Sequence, residues 1–153
     1  MKTLIAATLA LALPTFAAAH DYTLGTLEIG HPMAYETAAT AKSGGGYVTI
    51  TNTGDNADAL IGAKAEFPKV QIHQSYEEDG VAKMRHVEKI ELPAGETVEL
   101  APGGFHVMFM GLAEPFEVGA EIPVTLVFEK AGEIEVMFHV EERSSDAHDH
   151  SGH

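Results

Sequence analysis

Two histidines and two methionines in this sequence stand at spacings that a folded sheet could gather into one place. In GGFHVMFMG, residues 103–111, side chains alternate between the two faces of a strand, so Phe105, Val107 and Phe109 share one face while His106, Met108 and Met110 share the other. The first face is plain hydrocarbon. The second lines up an imidazole and two thioethers, donors that suit a soft metal ion. Upstream, IHQSYEEDGVAKMRHV carries the turn signal Glu78-Asp79-Gly80, and a hairpin there is expected to fold His73 back beside Met84. Positions two apart on a strand have Cβ atoms about 7 Å from each other, and imidazole and thioether arms are long enough to converge on one ion between them.

The donor set selects the metal. Thioether is a soft, neutral ligand that favours Cu(I), whereas Zn(II), Mg(II) and Mn(II) draw on thiolate, imidazole, carboxylate or water. Two imidazoles and two thioethers are all neutral and leave the ion's charge uncompensated, which calls for a shallow site at a sheet end near solvent. A single methionine in a strand is most often core filling, and a single histidine is most often a satisfied or surface side chain. The case for a site therefore rests on the four residues together.

The elements that must position them are strands. Between His20 and Arg143 no segment sustains a helical period, while short β-rich runs recur between turn signals. Strands are expected near residues 22–29, 46–52, 57–63, 69–76, 82–87, 97–100, 106–110, 121–128 and 133–140, punctuated by Gly44-Gly45-Gly46, Thr53-Gly54-Asp55, Asp79-Gly80, Pro93-Ala94-Gly95 and Pro102-Gly103-Gly104. Short strands at this spacing predict one all-β domain, an antiparallel Greek-key sandwich or barrel.

The flanks read differently. Residues 1–19 have the form of a secretory signal: Lys2, the apolar run LIAATLALAL at 4–13, and Ala17-Ala18-Ala19 as a cleavage site. The apolar run is too short for a stop-transfer helix. The expected mature domain is 20–142, followed at 143–153 by a polar tail, RSSDAHDHSGH, with the character of a flexible segment. His148, His150 and His153, with Asp146 and Asp149, are nitrogen and oxygen donors that favour Cu(II) or Zn(II) over Cu(I) and form a candidate second site, read for Cu(II). The 153 residues contain no cysteine and carry a formal net charge of -14. Disulfides, thiolate ligands and anchoring through an N-terminal cysteine are thereby excluded, and so is a basic surface for nucleic acid or anionic membrane.

Ten residues separate His73 from Met84, twenty-one separate Met84 from His106, and one separates His106 from Met108. This H-x10-M-x21-H-x-M pattern resembles the copper-binding signature of the PCuAC-type periplasmic copper chaperones. The stretches GGGYVTITNTGD (44–55) and KMRHVEKIELPAGETVELAPGGFHVMFMGL (83–112), and the closing strand up to Val140, are similar to that family as well. The resemblance implies a cupredoxin-like β-sandwich and a Cu(I) site at His73, Met84, His106 and Met108. It implies copper delivery for assembly of the cytochrome c oxidase copper centre, a non-enzymatic role. Partners would be the copper-accepting oxidase subunit or a Sco-type thioredoxin-like chaperone. An electron-transfer cupredoxin would need a cysteine ligand. A copper enzyme would need acid or base groups where only Arg85 and His86 are offered, while a periplasmic copper buffer remains the alternative. Among the other candidates, Met110 reads as core packing and His86 as a supporting or exposed group. His31, Met33 and His139 read as structural or surface residues, and an N-terminal His20 has no companion ligands.

Overall fold

The computed structural model describes residues 21–144. The expected leader and the tail residues His148, His150 and His153 lie outside them. Among the described residues there are eleven strands and no helix. They are β1 (Tyr22–Leu24), β2 (Leu27–Tyr35), β3 (Ser43–Asn52), β4 (Asp58–Lys64), β5 (Lys69–Glu78), β6 (Val81–His86), β7 (Ile90–Leu92), β8 (Thr97–Leu100), β9 (Phe105–Met110), β10 (Glu121–Phe128) and β11 (Gly132–Glu141). The all-β class expected from the sequence is the one found.

The strands hydrogen-bond in the order β6-β5-β9-β3-β2-β11-β10-β4-β7, with β1 added to β2 and β8 to β3. Every pairing is antiparallel except that of β11 with β2, which is parallel. Alternation sends one face of each long strand inward: Val48 and Ile50 of β3, Val107 and Phe109 of β9, Val124 and Leu126 of β10, and Val136 and Phe138 of β11 all join one buried apolar cluster. At about 25 cal/mol per Å2 of apolar surface removed from water, this cluster is the main stabilising element.

Three expectations are corrected. The run read as one strand at 22–29 is broken by a turn at Gly25, whose φ is +59°, and a three-residue strand, β7, precedes Pro93. Gly44-Gly45-Gly46 is not a turn but the beginning of β3. A Cβ on Gly44 would lie 2.5 Å from the Phe116 ring, and one on Gly46 would lie 2.5 Å from Phe138 and 3.0 Å from Phe109. The glycines are there because aromatic rings of the core press directly on the strand backbone.

Candidate metal site

The Glu78-Asp79-Gly80 turn forms as expected. Asp79 and Gly80 have φ of +54° and +74°, the left-handed pair of a two-residue hairpin loop, which fixes Glu78 against Val81. Continued down the ladder, that register sets His73 opposite His86 and Ser75 opposite Met84. The expected neighbour of His73 is thus displaced: His86 is directly across, and Met84 lies on the diagonal, about 7–8 Å away by ladder geometry.

On its other side β5 pairs with β9, with His73 opposite His106 and Gln71 opposite Met108. Three imidazoles therefore stand in one row across β6, β5 and β9, with ring centroids 6.1 Å apart for His86 and His73 and 5.9 Å for His73 and His106. Met108 and Met84 flank this row from opposite diagonals of His73. By strand geometry they are separated by about 10 Å across the sheet and about 13 Å along it. All four predicted residues share one outer face, but the two thioethers do not meet at one point. Among the described residues, no three His, Asp or Glu side chains converge as a preformed metal cage either.

His106 is on an outer face yet only 4% exposed. Its cover is Tyr47 of β3, whose ring centroid is 6.4 Å away. Tyr47 lies over Gly45, where a Cβ would come within 3.0 Å of the phenol oxygen. Tyr35 packs against Tyr47 at 5.8 Å, and the Arg143 guanidinium sits 5.3 Å above the Tyr35 ring. Burial raises the Tyr47 pKa, opposed by Arg143, so the phenol stays protonated. A cavity of about 120 Å3 opens here between Tyr35, Tyr47, Pro102, Arg143 and Ser144.

Each histidine is held by the residue two places before it in the chain. Nε2–H of His73 donates to the side-chain oxygen of Gln71 at 3.1 Å, and Nδ1–H of His106 donates to the Gly104 carbonyl at 3.3 Å. The remaining nitrogens, Nδ1 of His73 and Nε2 of His106, are buried without a hydrogen-bond partner. Burial lowers the pKa of both rings; the neighbouring His106, His86 and Lys69 depress His73 further, while the Gly104 carbonyl partly offsets the effect on His106. At neutral pH both rings are uncharged, each with a lone pair available to an electrophile.

The rest of the constellation is more exposed. All six residues of β6 are exposed, Met84 at 50%. Met110 is half-buried on the same outer face as Met108, opposite Lys69 and Ser43, so it is not core packing. His31 sits in a β2 bulge with φ of +48° and lies 3.2 Å from Glu141. His139 lies 3.5 Å from Glu121, and Met33 is buried. Met33 lies opposite Tyr47 and His139 opposite Met33, on the outer face of His106 but on β2 and β11; with His31 they are structural or surface residues, as expected. His86 is the residue that sequence reasoning underrated, although counting outward from a two-residue loop would have placed it against His73.

The class of protein is set by this combination: a small all-β domain that presents paired imidazoles and thioethers on an outer sheet face. Solved structures of the same architecture include a copper-bound PCuAC domain from PmoF2, 33% identical with a TM-score of 0.69, covering 81% of this chain and 99% of that one. An apo PCuAC domain from PmoF1 is 32% identical with a TM-score of 0.70, covering 81% and 100%. The Cu(I) form of DR1885 from Deinococcus radiodurans is 25% identical with a TM-score of 0.60, covering 82% and 83%. The PCuAC-type fold implied by the sequence is the fold observed.

The chain belongs to the LpqE-like family, whose sequence profile matches residues 27–140. A relative in Leifsonia xyli subsp. xyli (strain CTCB07), Lxx21020, named as a lipoprotein, is 35% identical over 97 residues, 62% of this chain. The chain spans 58% of that relative's length. Among the described residues no helix is long and apolar enough to cross a membrane.

Proposed function

We propose that the protein is a periplasmic copper chaperone that carries Cu(I) as cargo on the β5–β9 face. The observation that carries the reading is the pair of facing, uncharged imidazoles, His73 and His106, whose buried Nδ1 and Nε2 have no partner within the protein. A buried acceptor left unmade is costly, and an ion bound between the rings would satisfy both. Met108, half-buried on the same strand face as His106, adds a thioether. Met84 supplies the second when β6, bonded to the sheet along one edge only, bends toward His73. A set of two imidazoles and two thioethers favours Cu(I). Copper in the solved PCuAC domain of PmoF2 and in Cu(I)-DR1885 supports the assignment.

Delivery is the role suited by the exposure of Met84 at one side of the site. The proposed recipients are the copper-accepting subunit of cytochrome c oxidase or a Sco-type thioredoxin-like chaperone, which would take the ion from the Met84 side. His148, His150 and His153 are proposed to bind Cu(II). The described chain reaches Ser144 at the wall of the Tyr35–Tyr47 cavity, beside the cover of His106, and four more residues span at most about 14 Å.

The test is anaerobic Cu(I) loading against a competing chelator with mass-spectrometric stoichiometry, followed by mixing with an apo-oxidase copper domain. One Cu(I) per chain that moves to the domain supports the reading. A chain that holds copper without transferring it, in cells whose deletion strain fails only under copper stress, would make it a copper buffer instead.

A further inference from the structure

We propose that Gln71 decides which nitrogen of His73 meets the metal: His73 binds through Nδ1 and His106 through Nε2, an asymmetric imidazole pair. The inference rests on the copper reading above and deepens it. An amide carbonyl oxygen can only accept a hydrogen bond, so the 3.1 Å contact to Gln71 Oε1 requires the proton of neutral His73 to be on Nε2. A neutral imidazole has one ring proton, which leaves the lone pair on Nδ1. For His106 the Gly104 carbonyl imposes the opposite tautomer by holding the proton on Nδ1. The two nitrogens so left bare are also the two that are buried without partners.

Both tethers come from the residue two places upstream in the chain, Gln71 on β5 and Gly104 just before β9, but they differ in chemistry. Gly104 acts through its backbone carbonyl, which also accepts the Ser75 N–H at 2.9 Å, so no substitution of its side chain removes it. Gln71 acts through its side chain, and sequence is free to change it. Gln71 also faces Met108 directly across the ladder, on the side from which an ion would otherwise approach Nε2. Nδ1 adjoins the ring's attachment point, so an ion bound there would lie nearer the β5 backbone than one on Nε2, and His106 would meet it with the far nitrogen of its ring. Hydrogen-bonded partners of this kind orient a metal-binding ring and fix its tautomer.

Long-range 1H–15N NMR of the full chain reads the tautomer directly, apo and loaded with Cu(I), which is diamagnetic. In the apo protein at neutral pH, His73 is expected as the pure Nε2–H form and His106 as the pure Nδ1–H form. On Cu(I) addition the shifts should fall on His73 Nδ1 and His106 Nε2. In Gln71→Leu, His73 should become a mixture of tautomers and Cu(I) affinity should drop by about tenfold. Gln71→Glu, whose carboxylate still accepts the Nε2 proton, should restore both. A copper shift at His73 Nε2, or an unchanged His73 tautomer in Gln71→Leu, overturns the role of Gln71 alone. No copper-dependent shift at either ring overturns the copper reading itself.

Discussion

His73 and His106 stand directly opposite each other on β5 and β9, each ring tied to the residue two places before it in the chain. The ladder sets their separation and the tethers set their orientation, so this part of the site is built before any ion arrives. The thioethers are not built in the same way. Met108 is fixed on β9 beside the pair, whereas Met84 rides an exposed edge strand on the opposite diagonal.

The proposed ligand set predicts unequal roles for the methionines. Met84→Ala and Met108→Ala should each weaken Cu(I) binding by about tenfold or more, and Met110→Ala, two residues further along β9, should change it far less. Competition with a Cu(I) chelator measures all three. Equal losses would reduce the row to a general soft patch, and X-ray absorption showing only N/O neighbours would remove the thioethers altogether.

Acid should act on the apo protein through the same histidines. Burial holds both pKa values below the ordinary 6.5, so below that value the unfolded chain takes up protons that the folded one resists. Stability is therefore constant above about pH 7, declines as pH drops below about 6.5, and is lost through the lower folded pKa values. Copper competes with fewer protons than at free imidazole, so Cu(I) affinity should begin to fall only at a pH below the ordinary 6.5. Urea midpoints and chelator competition across this range give the two profiles. A stability profile that rises toward acid would contradict the burial of His106.

Asp58 should matter for the fold and not for the metal. Its carboxylate is buried in β4 and accepts the N–H groups of Ala59, Lys130 and Ala131 at 2.8, 2.9 and 3.0 Å, fastening the β10–β11 turn. Asp58→Ala leaves those donors unmatched and should cost about 2–4 kcal/mol in urea unfolding. Cu(I) stoichiometry of the folded variant should stay the same. Loss of copper at temperatures where the variant is folded would mean that the two ends of the sheet are coupled.

Truncation separates the proposed tail site from the sheet. A chain ending at Arg143 lacks His148, His150 and His153 and should keep its fold and its Cu(I) affinity while losing most Cu(II) binding. Electron paramagnetic resonance during Cu(II) titration of both forms is the measurement. Identical Cu(II) spectra and stoichiometry would leave the tail histidines without a metal role.

Much of this is legible in the sequence itself. Alternation in FHVMFM separated the core face from the donor face, and Asp79-Gly80 announced its hairpin, because both signals are local. The misplacement of Met84 came from not carrying the two-residue loop through the ladder, which puts His86 against His73. The glycines at 44–46 were misread for a deeper reason. In sequence a run of glycine marks a break, and only Phe116 and Phe138, far along the chain, show that it makes room for rings. The burial of His106 is equally hidden, since Tyr47 reaches it from the neighbouring strand β3 and no local pattern links the two.

The outermost position of β6 bears on how concentrated the protein can become. An edge strand with one row of unsatisfied backbone groups is a template on which a second copy can add its own strand, the first step of aggregation. β6 is six residues long and carries Lys83 and Arg85 alternating with Met84 and His86. Two copies meeting edge to edge would bring like cations together, while the overall charge of -14 repels the remaining surfaces. High salt would screen both repulsions, so self-association that begins at β6 should grow with ionic strength.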